Sequence, residues 1–359
     1  MQTQVQNSNP PFNYDCFPCF GYTFPNLPVP AASSVTNPQG TVSALNMHFK
    51  PGYIEQFNLF VQKEFGANTF SIAGVGELGR DGLYLRNADQ PDSPGAGNPT
   101  PSLVYAAQLP LLSSIQYVDN SGIANYFGMQ VSLVRRAARG LTLNANYTWA
   151  HGLSNSIQSA SSTSNDYALI TSNPRYDYGN SPTDVRHRIA VSANYELPFG
   201  GNLHGFAGQA LRGWQMNVIG FWQTGLPFAV VDGTAHINLP NVTSDRPDQI
   251  ASASFSNPSL NEWFNTAAFA PQTAGTPGSE SSDAVYGPHN RAVNVSLLKN
   301  FVIREPWQLQ FRAECFNISN TANFAFPGAT MGNGNFGVIS STAPNSNPRQ
   351  FQFALKVLF

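Results

Sequence analysis

The feature that most limits what this chain can fold into is apolar–polar alternation sustained for unusually long runs. In "LTLNANYTWA" (141–150), Leu141, Leu143, Ala145, Tyr147 and Trp149 fall on one face of a strand, and Thr142, Asn144, Asn146 and Thr148 on the other. Successive strand side chains point to opposite faces, so such a segment has one greasy side and one polar side. "HRIAVSANYELP" (187–198), "WQLQFRAEC" (307–315) and the closing "RQFQFALKVLF" (349–359) repeat the pattern. Read this way, the sequence predicts strands near 54–65, 69–79, 123–135, 140–150, 186–197, 212–224, 291–303, 306–318 and 349–359. Most run about 10 to 14 residues, whereas globular strands average about five or six and a tilted strand crossing a bilayer needs about 9–11. Length points to lipid.

The connections agree. Short ones, "GAN" (66–68), "RAAR" (136–139), 198–210 and "REP" (304–306), alternate with long ones at 80–122, 151–185, 225–290 and 319–348. Outer-membrane barrels have short periplasmic turns and longer extracellular loops. Charge is placed accordingly. The middle of each apolar face carries none, and Lys63, Arg135 and Lys299 share those faces only near short turns. The opposite faces hold Arg188, Glu196, Arg312, Glu314 and Lys356 among Asn and Gln, as a polar lumen would. Tyr147, Trp149 and Trp222 at one end, with Trp214, Trp307 and Phe359 at the other, form two aromatic belts. The expected fold is all-β: an antiparallel transmembrane outer-membrane β-barrel portion of about nine or ten long strands, in contact with outer-membrane lipid.

Several function classes drop out. Charged residues are 11% of the chain, and the net charge of −2 offers no basic field for nucleic acid. No run approaches the roughly 18 apolar residues of a membrane helix. The six histidines, His48, His151, His187, His204, His236 and His289, have no HxxxH or HExxH spacing, so no metal site or cofactor is expected. Cys16 and Cys19 form a C-F-P-C read foremost as a small disulfide loop, with free thiols, metal or redox chemistry as alternatives. "SPTDVRHR" (181–188) gathers Asp184, Arg186, His187 and Arg188 where a loop enters a strand. No nucleophile accompanies them, so the expectation is a polar rim and lumen network, with Arg312 and Glu314 further along, and no enzyme.

The last strand raises the question of assembly. Phe351, Phe353, Leu355, Val357 and a terminal Phe359 lie on one face, and this pattern resembles the signal read by the outer-membrane assembly machinery. If both termini of a complete barrel are periplasmic, an odd strand count leaves the N-terminal segment outside. The expected division is therefore 1–50 as an extracellular loop or incomplete N-terminal segment and 51–359 as barrel. Segment 41–50 is an alternative tenth strand. The opening residues have no basic and apolar leader, which also favours a barrel portion.

The stretches "GYIEQFNLFVQKEFG" (52–66), "NYFGMQVSLVRRAARGLTLNANYTWAHGL" (125–153), "DYGNSPTDVRHRIAVSANYELPFG" (177–200), "GWQMNVIGFWQTGLPF" (213–228), "EWFNTAAFA" (262–270), "GPHNRAVNVSLLKNFVI" (287–303) and "WQLQFRAECFNISNTANF" (307–324) follow one another in family order. In them the chain resembles the C-terminal barrel portion of TonB-dependent receptors of the Oar-like group. The resemblance implies roughly the C-terminal half of a barrel of about 22 strands with a plugged lumen. It also implies uptake energised by the TonB complex, reached only through the plug and N-terminal barrel half that this sequence lacks. Two other readings stay open: a structural or adhesive surface protein using its long loops, and a soluble β-rich binding protein.

Overall fold

Nine alternating segments pair into one meandering antiparallel sheet in a computed structural model of the chain, which describes residues 40–92, 102–109, 112–155, 168–201, 205–234, 236–240, 242, 245–304 and 307–359. The strands are β1 (Tyr53–Phe65), β2 (Asn68–Asn87), β3 (Leu112–Ala138), β4 (Leu141–Ser154), β5 (His187–Glu196), β6 (Trp214–Gln223), β7 (Asn290–Arg304), β8 (Trp307–Phe316) and β9 (Gln350–Leu358). Each pairs antiparallel with the next. All nine expected strands are present.

Register joins the separate stripes. Ala145 pairs with Val191, Val191 with Gly220, and Gly220 with Val293. Leu297 pairs with Ala313, and Ala313 with Phe353. Directly paired residues share a face, so the apolar stripes merge into one continuous surface. The other face collects Asn146, Asn194, Asn217, Ser296, Glu314 and Gln352.

Two tight turns close the short-connection end. Gly66 has φ +61 at the first position of a two-residue loop, and Arg139 and Gly140 have φ +52 and +76. Positive φ matches the turn to the right-handed twist of its strands. A side chain on Gly140 would also meet the Glu196 carbonyl oxygen at 2.8 Å. The third connection folds into a short helix, Gly205–Leu211. It covers Lys299, which is 1% exposed and donates from Nζ to the Gln209 carbonyl (2.6 Å) and to that of Arg212. The Lys299 ammonium lies 4.8 Å from the Phe301 ring centre and 5.8 Å from that of Trp214.

At the other end, β2 and β3 run well past the limits of 79 and 123 that alternation gives. Past Gly79 the pairing bulges and continues to Asn87 against Gln116. Backbone approach at the crossing of Gly82 and Gly122 leaves no room for a Cβ on Gly122. Arg86 then bonds Asp119 at 2.7 Å. Pairing in water needs no apolar face, so alternation could not mark it. The strand Gly40–Leu45 is a second correction. It is six residues long and pairs in parallel with Leu112–Val118, so it is not a tenth membrane strand. At this end the long connections 224–289 and 317–349 pack together around Phe228, Val230, Phe264, Ala268, Phe269 and Val285. A smaller cluster joins Ile170, Ile237 and Leu239. β1 and β9 are the two sheet edges and do not pair with each other.

Candidate functional site

The long-connection end holds the polar chemistry. Asp184 has a side chain 1% exposed and lies where 168–186 returns to β5. Its Oδ1 accepts from the Gly152 N–H at 2.7 Å, which ties it to the outer end of β4. Its Oδ2 accepts from the Tyr286 hydroxyl at 2.6 Å and lies 2.9 Å from Arg186 Nε and 3.4 Å from His151 Nδ1. Arg186 Nε also donates to the Tyr286 oxygen at 2.8 Å. Tyr286 is held by a short pairing of Val285–Tyr286 with Pro227–Phe228. Its carbonyl accepts from Trp263 Nε1 at 2.8 Å. Burial, then the Asp184 hydrogen bond, pushes the Tyr286 hydroxyl up to about 12. The same contacts, with Tyr286 foremost, hold the Arg186 guanidinium above its ordinary value against the cost of burial.

A cleft of about 580 Å³ opens beside this network, lined by Arg186, His187, Trp263, Tyr286 and His289 among others. That volume is within the range of small-molecule pockets. Arg186 and the histidines offer donors, and Trp263 and Tyr286 offer flat apolar faces. The arrangement offers hydrogen-bond donors and flat rings to a bound group, and among the described residues of the network no nucleophile stands beside a base.

Of the other residues singled out by sequence, His187 and Arg188 leave this network in opposite directions. His187 pairs with Trp149 on the apolar face, and its Nδ1 lies 2.9 Å from the Tyr147 hydroxyl. Arg188 pairs with Thr148 and Gln223 on the polar face. Arg312 donates to Glu314 at 2.9 Å on the same polar face, on β8. Phe351, Phe353, Leu355 and Val357 lie in register on the apolar face of β9. Phe359 stacks on Trp307 with ring centres 5.3 Å apart. Cys16 and Cys19 lie outside the described residues. Cys315 is a buried free thiol opposite Phe351.

Sequence reasoning missed a second network. Asp177 accepts from the Tyr84 hydroxyl at 2.9 Å and faces Arg246, whose guanidinium lies 3.9 Å from the Tyr176 ring centre. Burial raises the Asp177 carboxyl and the Tyr84 hydroxyl. Glu280 accepts from the Val230 N–H at 2.9 Å, and burial pushes its carboxyl up to about 8. One signal was available: in a chain with 20 acidic residues, several fall in the long connections, where alternation says nothing.

The family described as "Outer membrane beta barrel domain" matches residues 1–352. The chain belongs to that family. The continuous apolar surface is thus the lipid face of an all-β barrel, its long connections are extracellular, and the chain is an outer-membrane protein. No curated protein matches it. Among solved structures it is similar to the outer membrane transporter YddB from Escherichia coli, with 11% identity and a TM-score of 0.48 over 89% of this chain and 34% of that one. It is also similar to the pyoverdine outer membrane receptor FpvA from Pseudomonas aeruginosa (10%, 0.41, covering 86% and 30%). The FrpB iron transporter from Neisseria meningitidis is comparable (8%, 0.41, covering 88% and 32%). The chain spans about a third of the length of these proteins.

Proposed function

We propose that this chain forms the C-terminal barrel portion of a TonB-dependent outer-membrane transporter, and that its ligand is first met at the cleft beside Asp184, Arg186 and Tyr286. One observation carries the reading: the two free sheet edges run in the same direction. β1 and β9 both end at the short-connection side. An open edge in lipid leaves backbone N–H and C=O groups unsatisfied, so the sheet has to close. Two edges of the same direction cannot pair antiparallel, and a second copy would meet β1 with β9 in parallel. An odd number of further strands closes the barrel antiparallel throughout. In this reading those strands and a plug come from outside the described residues, the TonB complex acts only through them, and β9 presents the assembly signal.

The test is energised uptake in the native host. Cells would be offered ferric chelates, oligosaccharides and peptides, with and without a protonophore. Uptake of one class should need both the membrane energy source and residues 224–289. The folded extracellular loops also favour an adhesive reading. That reading would show as surface binding that is lost with those loops and insensitive to the protonophore; uptake of no class in host cells would refute the transporter.

A further inference from the structure

Within the extracellular loops, three side chains point their unused atoms at one place. The Asp232 and Asp245 backbones are joined by an N–H···O bond of 2.7 Å. One oxygen of each carboxylate is committed to the local backbone. Asp232 Oδ1 accepts from the Thr234 N–H at 3.0 Å, and Asp245 Oδ2 from that of Ile237 at 2.6 Å. One ligand atom from each of Asp232, His236 and Asp245 lies within 4.8 Å of the other two, and the uncommitted atoms of the three are Asp232 Oδ2, Asp245 Oδ1 and His236 Nδ1. None of the three has a hydrogen-bond partner among the described residues. His236 Nδ1 is 2.9 Å from Asp232 Oδ2 but misaligned for a hydrogen bond. Asp232 is 4% exposed and Asp245 2%. Gln272, 3% exposed, approaches the Asp245 carboxylate within hydrogen-bonding range, but neither of its amide atoms is well aligned for a bond.

As an ion pair alone this arrangement is incomplete. A protonated His236 would offset one of two buried carboxylates and leave Asp245 Oδ1 unmet. The neighbouring guanidinium of Arg246 is turned away, toward Asp177 and the Tyr176 ring. An unpaired buried charge is costly and is normally matched by a partner or a metal. We propose that Asp232, His236 and Asp245 form a structural site for a divalent first-row transition ion such as Zn²⁺, beside the buried Gln272. Two donors bound to a tetrahedral ion at about 2.0–2.2 Å lie about 3.3–3.6 Å apart, so the 2.9 Å between Asp232 and His236 has to open by about half an ångström and the wider separations have to close slightly. An imidazole with carboxylates suits zinc and its neighbours, whereas calcium takes six to eight oxygens at longer range. The backbone N–H groups on the outer carboxylate oxygens fix both ligands in place, as supporting contacts in metal sites do. Histidine spacing alone gave no hint of the site, because two of its three ligands are carboxylates. Bound metal would pin 232–236 to Asp245 and thereby seat Ile237 and Leu239 against Ile170. This role is independent of the transported ligand.

The test uses the assembled barrel extracted in detergent from the outer membrane of the native host, with folding checked by heat-modifiable gel migration, stripped of metal and titrated with Zn²⁺ or Co²⁺. One Zn²⁺ per chain and visible Co²⁺ ligand-field absorption are expected. Asp245→Asn should weaken binding by at least about 100-fold, the upper end of what a supporting contact alone costs. His236→Gln, at a more exposed position, carries the same expectation if Asp245→Asn fails to fold. Zinc should also slow protease cleavage within 224–289 in the wild-type chain and in neither variant. A folded wild-type chain with no saturable Zn²⁺ binding, or equal binding by wild type and both variants, would overturn the site.

Discussion

Arginine at Val218 should disrupt the barrel, while arginine at the adjacent Asn217 should not. Val218 lies on the apolar face of β6, paired with Ala193 and Val295. It is four residues from Trp214 and four from Trp222, while its partner Val295 is four from Lys299 and four from Arg291. At about 3.3 Å per residue and a tilt of about 40°, Val218 lies about 10 Å in depth from each aromatic level, near the middle of an apolar band about 25 Å tall. Arginine at the midplane costs about 2–4 kcal/mol. At 1.4 kcal/mol per factor of ten, that is roughly a 30- to 700-fold shift in the folding equilibrium. Asn217 faces the lumen beside Asn194 and Ser296, so its arginine should change stability by under about 1 kcal/mol. Urea titration of the assembled barrel in lipid vesicles, read by heat-modifiable migration, measures both. Equal destabilisation by the two variants would refute the assignment of faces.

Further outcomes follow from the same structure. Leu355→Arg should abolish accumulation in the outer membrane without a ligand-specific defect, checked by fractionation; normal assembly would contradict a lipid-facing β9. Burial raises Glu280 from 4.5 to about 8 in the folded state, so the folded state holds its proton while the unfolded chain releases it. Stability of the extracellular loops should therefore fall as pH rises from about 4.5 to 8, and Glu280→Gln should flatten that slope in proteolysis rates. Tyr286→Phe removes a donor to buried Asp184 and an acceptor for Arg186, and should destabilise the loops by about 1–3 kcal/mol in thermal unfolding monitored by tryptophan fluorescence.

Inside the lipid belt, alternation was enough to find the strands. β5 was expected at 186–197 and forms at His187–Glu196, and β9 was expected at 349–359 and forms at Gln350–Leu358. There each residue answers to one environment per face. Outside the belt that rule lapses, which is why the outer halves of β2 and β3 were read as loop. The site was half legible for a similar reason. Asp184 and Arg186 stand close in sequence, but Tyr286 reaches them from 102 and 100 residues away. His187 and Arg188 are consecutive residues of a strand, so their divergence was already implied by its geometry.

The cover over Lys299 bears on how the barrel sits in membranes of unequal thickness. An uncovered lysine stem adjusts to a displaced interface by stretching toward headgroups. Here the ammonium is committed to the carbonyls of Gln209 and Arg212, so its depth follows the Gly205–Leu211 turn and not the lipid. A thicker or thinner bilayer must then be met on this side by lipid deformation or by tilt of the whole barrel. That turn acts as a fixed waterline.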